Sequence, residues 1–272
     1  MGRFTAKDQI TMGKEDWNTL SVIVPCFNEE KNIEACLESV TWAGEILVVD
    51  SYSTDATLDI ARRYTDRILQ HEYLNSAAQK NWAIPQAAHD WVLVVDADER
   101  VTPALRDEVL ALLRQGPPHD GYWIKRKNFL FGREIRHSGW GTDSVLRLFR
   151  KDRGRYQDKR VHAEVTIEPA GMLHNHLEHH SVSSIGDWIS KINRYSSWKA
   201  QDKHERGMAI PVVHLVLRPP MRFFKDFILR LGLLDGWRGF LIAALSAFAE
   251  LAMAAKVVQF RYEKDRTPRR DP

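Results

Sequence analysis

Three short apolar runs each open directly onto a polar, acidic loop, and that repetition constrains the fold more than any other feature. Residues 20–27 read LSVIVPCF and open onto Asn28-Glu29-Glu30. Residues 46–50 read ILVVD and open onto Ser51-Tyr52-Ser53-Thr54-Asp55. Residues 91–96 read WVLVVD and open onto Ala97-Asp98. Runs this short and this rich in β-branched residues are strands buried on both faces. Between them lie segments with helical spacing: 31–42 (apolar Ile33, Leu37, Val40), 58–64, and 77–88, where Pro85 should bend or end the helix. A brief strand is expected at 67–70. Residues 102–115 form a clear helix, with Thr102 as cap, Pro103 in the first turn, and Leu105, Val109, Leu112 and Leu113 on one face. Strands alternating with helices predict a parallel sheet covered on both sides.

Gly116-Pro117-Pro118 interrupts this pattern. After it, residues 122–127 and 145–149 alternate in polarity, as mixed or antiparallel strands do. The chain becomes helical again from Ile185 through Lys199. The expected organisation is an arm over 1–18 with no signal-peptide core, a ligand-binding half over 19–117, a second half of the same domain over 118–184, and a helical appendage over 185–272.

Ligands of open α/β sheets bind beyond the carboxyl ends of the strands, which here are acidic. No G-x-G-x-x-G follows the first strand, no P-loop occurs, and no Cys/His zinc spacing is present. The two cysteines, Cys26 and Cys36, cannot form a disulfide scaffold and fit a reducing compartment. Asp96-x-Asp98 at a strand end is the spacing with which two carboxylates share a hard divalent cation. In isolation the same spacing is a common turn or helix cap, as Asp50 and Asp55 also are.

The stretches PCFNEE, DSYSTD, QKNWA and VVDADE, in this order, resemble family 2 glycosyltransferases of the GT-A fold. Gly139-Trp140-Gly141-Thr142-Asp143, Arg147-Leu148-Phe149-Arg150, Val161-His162-Ala163-Glu164 and Leu231-Gly232-Leu233-Leu234-Asp235-Gly236 resemble one subgroup. That subgroup is the lipopolysaccharide-core glucosyltransferases that place a β-1,4-linked glucose on an inner-core heptose. One departure is visible: the subgroup reads His-Glu consecutively, and here Ala163 separates His162 from Glu164. The resemblance implies a Rossmann-like mixed α/β sheet of GT-A type, flanked by helices. It also implies a UDP-sugar donor, Mg²⁺ or Mn²⁺, and inverting transfer to a lipid A-core or other glycan acceptor.

The resemblance also implies residue roles. Pro25, Asn28, Glu29, Asp50 and Ser51 line the nucleotide pocket, with Asp50 on the uracil ring. Lys80 sits by the base or diphosphate. Asp96 faces ribose and metal, Asp98 is the metal ligand, and His162 is a further candidate ligand. Asp143 matches the base that takes the acceptor proton, with Glu164 as its rival. Arg147 assists the departing diphosphate. His174, His176, His179 and His180 lie close together in sequence; polar packing or surface exposure is their expected role, with a metal or pyrophosphate role for His162, His176 or His180 as the alternative. Trp140 would stack on a sugar or fill a seam. Transfer to a polyprenyl phosphate or another surface glycan, or a non-catalytic nucleotide-sugar-binding scaffold, are the competing functions.

The chain carries 39 Lys+Arg against 36 Asp+Glu. Residues 218–272 hold 11 basic and 6 acidic side chains, so all the excess positive charge lies in the tail. There Arg218, Arg222, Lys225 and Arg230 interleave with Phe223, Phe224, Phe227, Ile228 and Leu231. Such a segment is expected to lie in the headgroup plane on the cytoplasmic face of an anionic inner membrane. The apolar run that follows from Gly239 is broken by Glu250 and Lys256, which argues against a span. The acidic front half argues against nucleic acid as a partner.

Overall fold

A computed structural model describes residues 19–158, 163–182, 184–208 and 211–266. Its strands are β1 (Leu20–Cys26), β2 (Glu45–Asp50), β3 (Ile68–Gln70), β4 (Trp91–Val94), β5 (Glu99–Val101), β6 (Gly121–Leu130), β7 (Arg133–Ile135), β8 (Ser144–Arg150) and β9 (Gly171–Val182). Its helices are α1 (Ile33–Glu38), α2 (Thr57–Ala61), α3 (Ser76–Ala83), α4 (Pro103–Gln115), α5 (Ile185–Glu205), α6 (Val213–Phe224) and α7 (Trp237–Arg266).

The chain divides into two compact units. One comprises the described residues of Met1–Lys127 and Asp143–Ser181, the other those of Asn128–Thr142 and Val182–Pro272. The sheet runs β3-β2-β1-β4-β8-β6-β9-β5. Strands β1–β4 pair in parallel, and β8 joins both β4 and β6 antiparallel, with a register shift at Tyr122/Trp123. The expected mixed sheet is therefore present.

The apolar runs are continuous because both faces of each strand are covered. Val22, Val24, Ile46, Val48, Leu93 and Val95 pack with Leu37 of α1 and with Leu105 and Val109 of α4. The alternate residues Ile23, Leu47, Val49, Val92 and Val94 pack on the other side with Ala77 and Ala83 of α3. Pro85 ends α3 as expected, and the chain continues as a 3₁₀ turn over Ile84–Gln86. Thr102 caps α4 by accepting from Leu105 N at 3.2 Å.

Strand β5 was not legible in the sequence. It is three residues long and mostly charged, and it exists because β9 pairs with it antiparallel. Both cysteines are buried and unpaired. Burial, and for Cys26 the neighbouring Asp50, push both thiols far up, so neither is a nucleophile.

In the second unit, α6, a π-helical turn over Lys225–Leu229 and a 3₁₀ turn over Gly232–Asp235 lead into α7. The segment Trp237–Glu263 is long and apolar enough to cross a membrane by length and composition alone. Glu250 and Lys256 do not break it. The same helix is also a bundle helix, with Ile242, Ala243, Met253, Ala254 and Val257 buried.

Candidate active site

Helix α3 supplies three consecutive polar residues, and each ties it to a different part of the first unit. Gln79 donates to Val49 O and, at 2.7 Å, to Ser51 Oγ at the end of β2. Lys80 places its ammonium 2.7 Å from Asp96 Oδ1. The Asn81 side chain grips the Tyr156 backbone, Nδ2 donating to Tyr156 O at 2.9 Å and Oδ1 accepting from Tyr156 N at 2.8 Å. Lys80 also lies 5.3 Å from the centroid of the Tyr156 ring.

Asp96 sits just past β4, held between cations: Lys80 on Oδ1 and Arg147 on Oδ2. Burial opposes its charge, but Arg147 and then Lys80 outweigh that and hold the carboxyl far below the usual carboxylate range. Arg147, on β8, is itself buried. Its lost hydration is more than offset by Asp96 and Glu99, so it stays charged at any ordinary pH. Arg147 also reaches Tyr156 OH at 3.3 Å.

Glu99 is the hub of the cluster, and it is fully buried. Its Oε2 accepts from Asp96 N at 2.9 Å, and its Oε1 accepts from both Arg147 and Arg126 at 3.1 Å. Arg126, on β6, then grips Asp143 Oδ2 through Nη2 at 2.6 Å and Nε at 2.9 Å. The result is an alternating chain of charge: Lys80, Asp96, Arg147, Glu99, Arg126, Asp143. It links the end of β4 to the start of β8 within one unit.

These residues border a cleft of about 240 Å³ lined by Lys80, Trp123, Arg126, Asp143, Arg147, Tyr156 and Glu164, among others. Three cations and two carboxylates line it, and the same cations also neutralise Asp96 and Glu99 behind it. Whole small-molecule sites run ~300–1,000 Å³, so this cleft falls just below the small end of that range.

Other predicted residues lie elsewhere. Pro25 is buried inside β1, paired with Val49. Asp50 is fully buried. It accepts from Ser53 Oγ at 2.5 Å, Ser53 N at 3.0 Å and Gln70 Nε2 at 3.0 Å, which is the turn-forming behaviour weighed for it above. Asn28 adopts φ 53° and accepts from Thr54 N at 2.8 Å, while Glu29 N donates to Thr57 Oγ1 at 2.8 Å. These contacts latch the loop after β1 to the loop after β2. Asp55 caps α2 through Thr57 N.

For a divalent cation the test is the donor set. No cluster of three His, Cys, Asp or Glu side chains that could hold a metal exists among the described residues. The carboxylate of Asp98 does face His179 Nε2 across 3.6 Å, giving one oxygen and one nitrogen donor. A pair of protein donors fits Mg²⁺ or Mn²⁺ when the remaining positions come from phosphate oxygens and water. His162 lies outside the described residues.

Sequence reasoning missed Glu99, Arg126 and His179. The alternation of β6 puts Arg126 on the same face as buried Ile124, which was a usable signal for Arg126. Nothing local marks Glu99 as a hub, and His179 is singled out from its neighbours only by the β5–β9 register, which pairs it with Glu99.

Two of the motif stretches, around Gly141 and Asp235, meet at a tight turn in the second unit. Asp235 accepts from Arg136 N and His137 N, and it pairs with His137 Nδ1 at 3.1 Å. A Cβ on Gly141 would lie 1.9 Å from Arg136 O, so only glycine closes that turn.

The model of glycosyl transferase family 2 matches residues 21–172. The lipopolysaccharide core biosynthesis glycosyltransferase LpsC of Rhizobium meliloti (strain 1021) is 32% identical over 254 residues, covering 88% of this chain and 92% of that protein. An uncharacterised glycosyltransferase of Rickettsia typhi is 27% identical over 251 residues, covering 88% and 86%. Among solved structures, S. aureus TarS 1-349 in complex with UDP-GlcNAc is similar with a TM-score of 0.48 and 17% identity, covering 93% of this chain and 94% of that one. The chain belongs to glycosyl transferase family 2. It is a glycosyltransferase with a mixed α/β fold of GT-A type, and it resembles enzymes of lipopolysaccharide core biosynthesis.

Proposed function

We propose that this enzyme performs an inverting transfer of glucose from UDP-glucose to a heptose of a lipid A-core oligosaccharide. The observation that carries the proposal is the single cleft in which Lys80 and Arg147, beside the acid after β4, meet two candidate bases, Asp143 and Glu164. The similarity to LpsC, named for lipopolysaccharide core biosynthesis, supports the acceptor class.

The geometry supports the following roles. Asp96, Lys80 and Arg147 form a fixed ionic bed at the end of β4, and the two cations neutralise charge developing on the departing diphosphate. Asp50, Ser51, Asn28 and Glu29 shape the loops that take the uridine, Asp50 acting through Ser53. Trp123 offers the sugar an apolar face. Asp143 takes the proton from the acceptor hydroxyl as that oxygen attacks the anomeric carbon, with Arg126 fixing the orientation of the carboxylate. Asp98 and His179 would hold a divalent cation, which when bound supplies charge neutralisation to the diphosphate.

A donor screen of UDP-, GDP- and TDP-sugars against truncated core acceptor tests this reading. Transfer of glucose from UDP-glucose, abolished by chelator and by Asp98→Ala, is the expected result. Tight UDP binding without turnover would replace the reading with a non-catalytic scaffold. Transfer only to polyprenyl phosphate would replace the acceptor. Full activity of Asp98→Ala in the presence of chelator would sink the metal assignment.

A further inference from the structure

The second unit departs from ordinary surface design between Val212 and Phe240. Helix α6 has no buried residue. Val213, Val216, Leu217, Met221 and Phe224 are all exposed, Val216 by 70% and Met221 by 67%. At 100° per residue these positions and Pro220 occupy an arc of roughly 140°, a single apolar stripe. Ile228, Leu229, Leu231, Leu233, Leu234 and Trp237 extend the exposed apolar surface past the helix. Contiguous exposure on this scale marks an interaction surface.

The charges identify the occupant. Between residues 212 and 240 there are five cations, Arg218, Arg222, Lys225, Arg230 and Arg238, and two acids, Asp226 and Asp235. Both acids are withdrawn from the surface. Asp226 is completely buried between Arg222 at 2.6 Å and Arg230 at 2.9 Å. Asp235 is nearly so and is committed to the turn at Arg136 and His137. The charge this surface shows to its surroundings is therefore positive, and Arg218, Arg222 and Lys225 fall along one edge of the apolar stripe. Apolar side chains edged by cations, with no exposed acid and with a tryptophan at the boundary, match the interface of an anionic bilayer.

Helix α7 is the alternative membrane element, and its packing argues against that use. Lys256 donates to Asn193 O and Oδ1, Ser196 Oγ and Ser197 Oγ, all within 2.7–2.8 Å, anchoring α7 to α5. Glu250 offsets part of the burial cost of Lys199 on α5. The charges that interrupt the apolar run are thus the ties of a helical bundle, and a spanning α7 would break them.

We propose that Val212–Phe240 is a monotopic docking surface for an anionic lipid bilayer, lying in the interface plane with the α6 stripe inserted. This deepens the reading of a lipid-linked acceptor given above and rests on it only for its biological purpose. The test is co-flotation of the full-length protein with vesicles of phosphatidylethanolamine and phosphatidylglycerol, beside pure phosphatidylcholine vesicles. The wild type should float with the anionic vesicles and partition about tenfold less onto phosphatidylcholine. Leu217→Glu with Met221→Glu should lower anionic partitioning about tenfold while melting normally and keeping its activity on a water-soluble acceptor. Flotation of that double variant equal to wild type would overturn the proposal. So would a wild-type dimer that the variant converts to monomer without vesicles, which would make a second copy the occupant. Resistance of the wild type to alkaline carbonate extraction would instead establish a span. Activity on the soluble acceptor is measured separately, so loss of the functional reading and loss of the docking surface are distinguishable.

Discussion

The two units handle charge and apolar surface in opposite ways. In the first, apolar side chains fill both layers beside the sheet, and the charged residues at the strand ends interlock in a partly solvent-facing cluster. In the second, between Val212 and Phe240, both acids, Asp226 and Asp235, are withdrawn from the surface and a broad apolar face is left in contact with solvent. Burying an ion pair costs desolvation that its Coulomb attraction barely returns. The first unit bears that cost with several linked pairs beside the cleft, and the second bears it at Asp226.

The largest effect that would break this comparison is on turnover. Asp143→Asn should reduce kcat by about 10²–10⁴-fold, the usual worth of a positioned base, with donor KM little changed. If Glu164→Gln shows the larger loss instead, Glu164 is the base, and Asp143 serves as an ion partner of Arg126.

The next effect is on stability. Glu99→Gln leaves Arg147 and Arg126, both largely buried, without their shared anion, and should cost about 3–5 kcal/mol, read as urea-unfolding free energy. A cost near zero would mean that the cluster relaxes into water and is not the rigid bed described.

Asp226→Asn is the matching change in the second unit. Its partners Arg222 and Arg230 are 37% and 40% exposed, so they can turn to solvent. The expected cost is about 1–3 kcal/mol, for the buried acceptor alone. A loss as large as that of Glu99→Gln would erase the distinction between the units. Vesicle binding of this variant should be retained, since no cation is removed.

The smallest effect is on acid stability. The folded-state pKa of Asp96 is depressed by Arg147 and Lys80 despite its burial. Its stabilisation is complete above the unfolded value of about 3.9 and is lost as pH falls toward the lowered folded value. Glu108, buried in part but held down by two backbone N–H groups of β9 and by Asn175, acts in the same direction. Wild type should therefore lose stability steeply below about pH 4, and Asp96→Asn should flatten that slope. An unchanged slope would place the acid-sensitive charges elsewhere.

Much of the first unit was legible. The apolar runs gave β1, β2 and β4 because continuous burial needs no partner to be recognised. Thr102 with Pro103 gave the start of α4, and Pro85 gave the end of α3, because caps and breaks are local chemistry. Lys80, Asp96, Arg147, Asp143 and Glu164 were singled out in sequence, and the structure brings all five to one site. Asp50 was legible as a strand-end acid, but whether it faced a ligand or its own turn was not, since both uses need the same residue in the same place.

The layers, the strand-end acids and the charge asymmetry of the tail are properties of composition and period along short segments, so they are readable without a structure. Which charges meet depends on how the strands pair. Glu99 is the hub because β5 pairs with β9, and His179 faces Asp98 through the same pairing. Arg126 reaches Asp143 because β6 lies beside β8, and Asp226 and Asp235 leave the surface because the turns before α7 bury their side chains. Each of these contacts joins residues from different elements or turns, and its energy depends on distance and burial that no local pattern encodes.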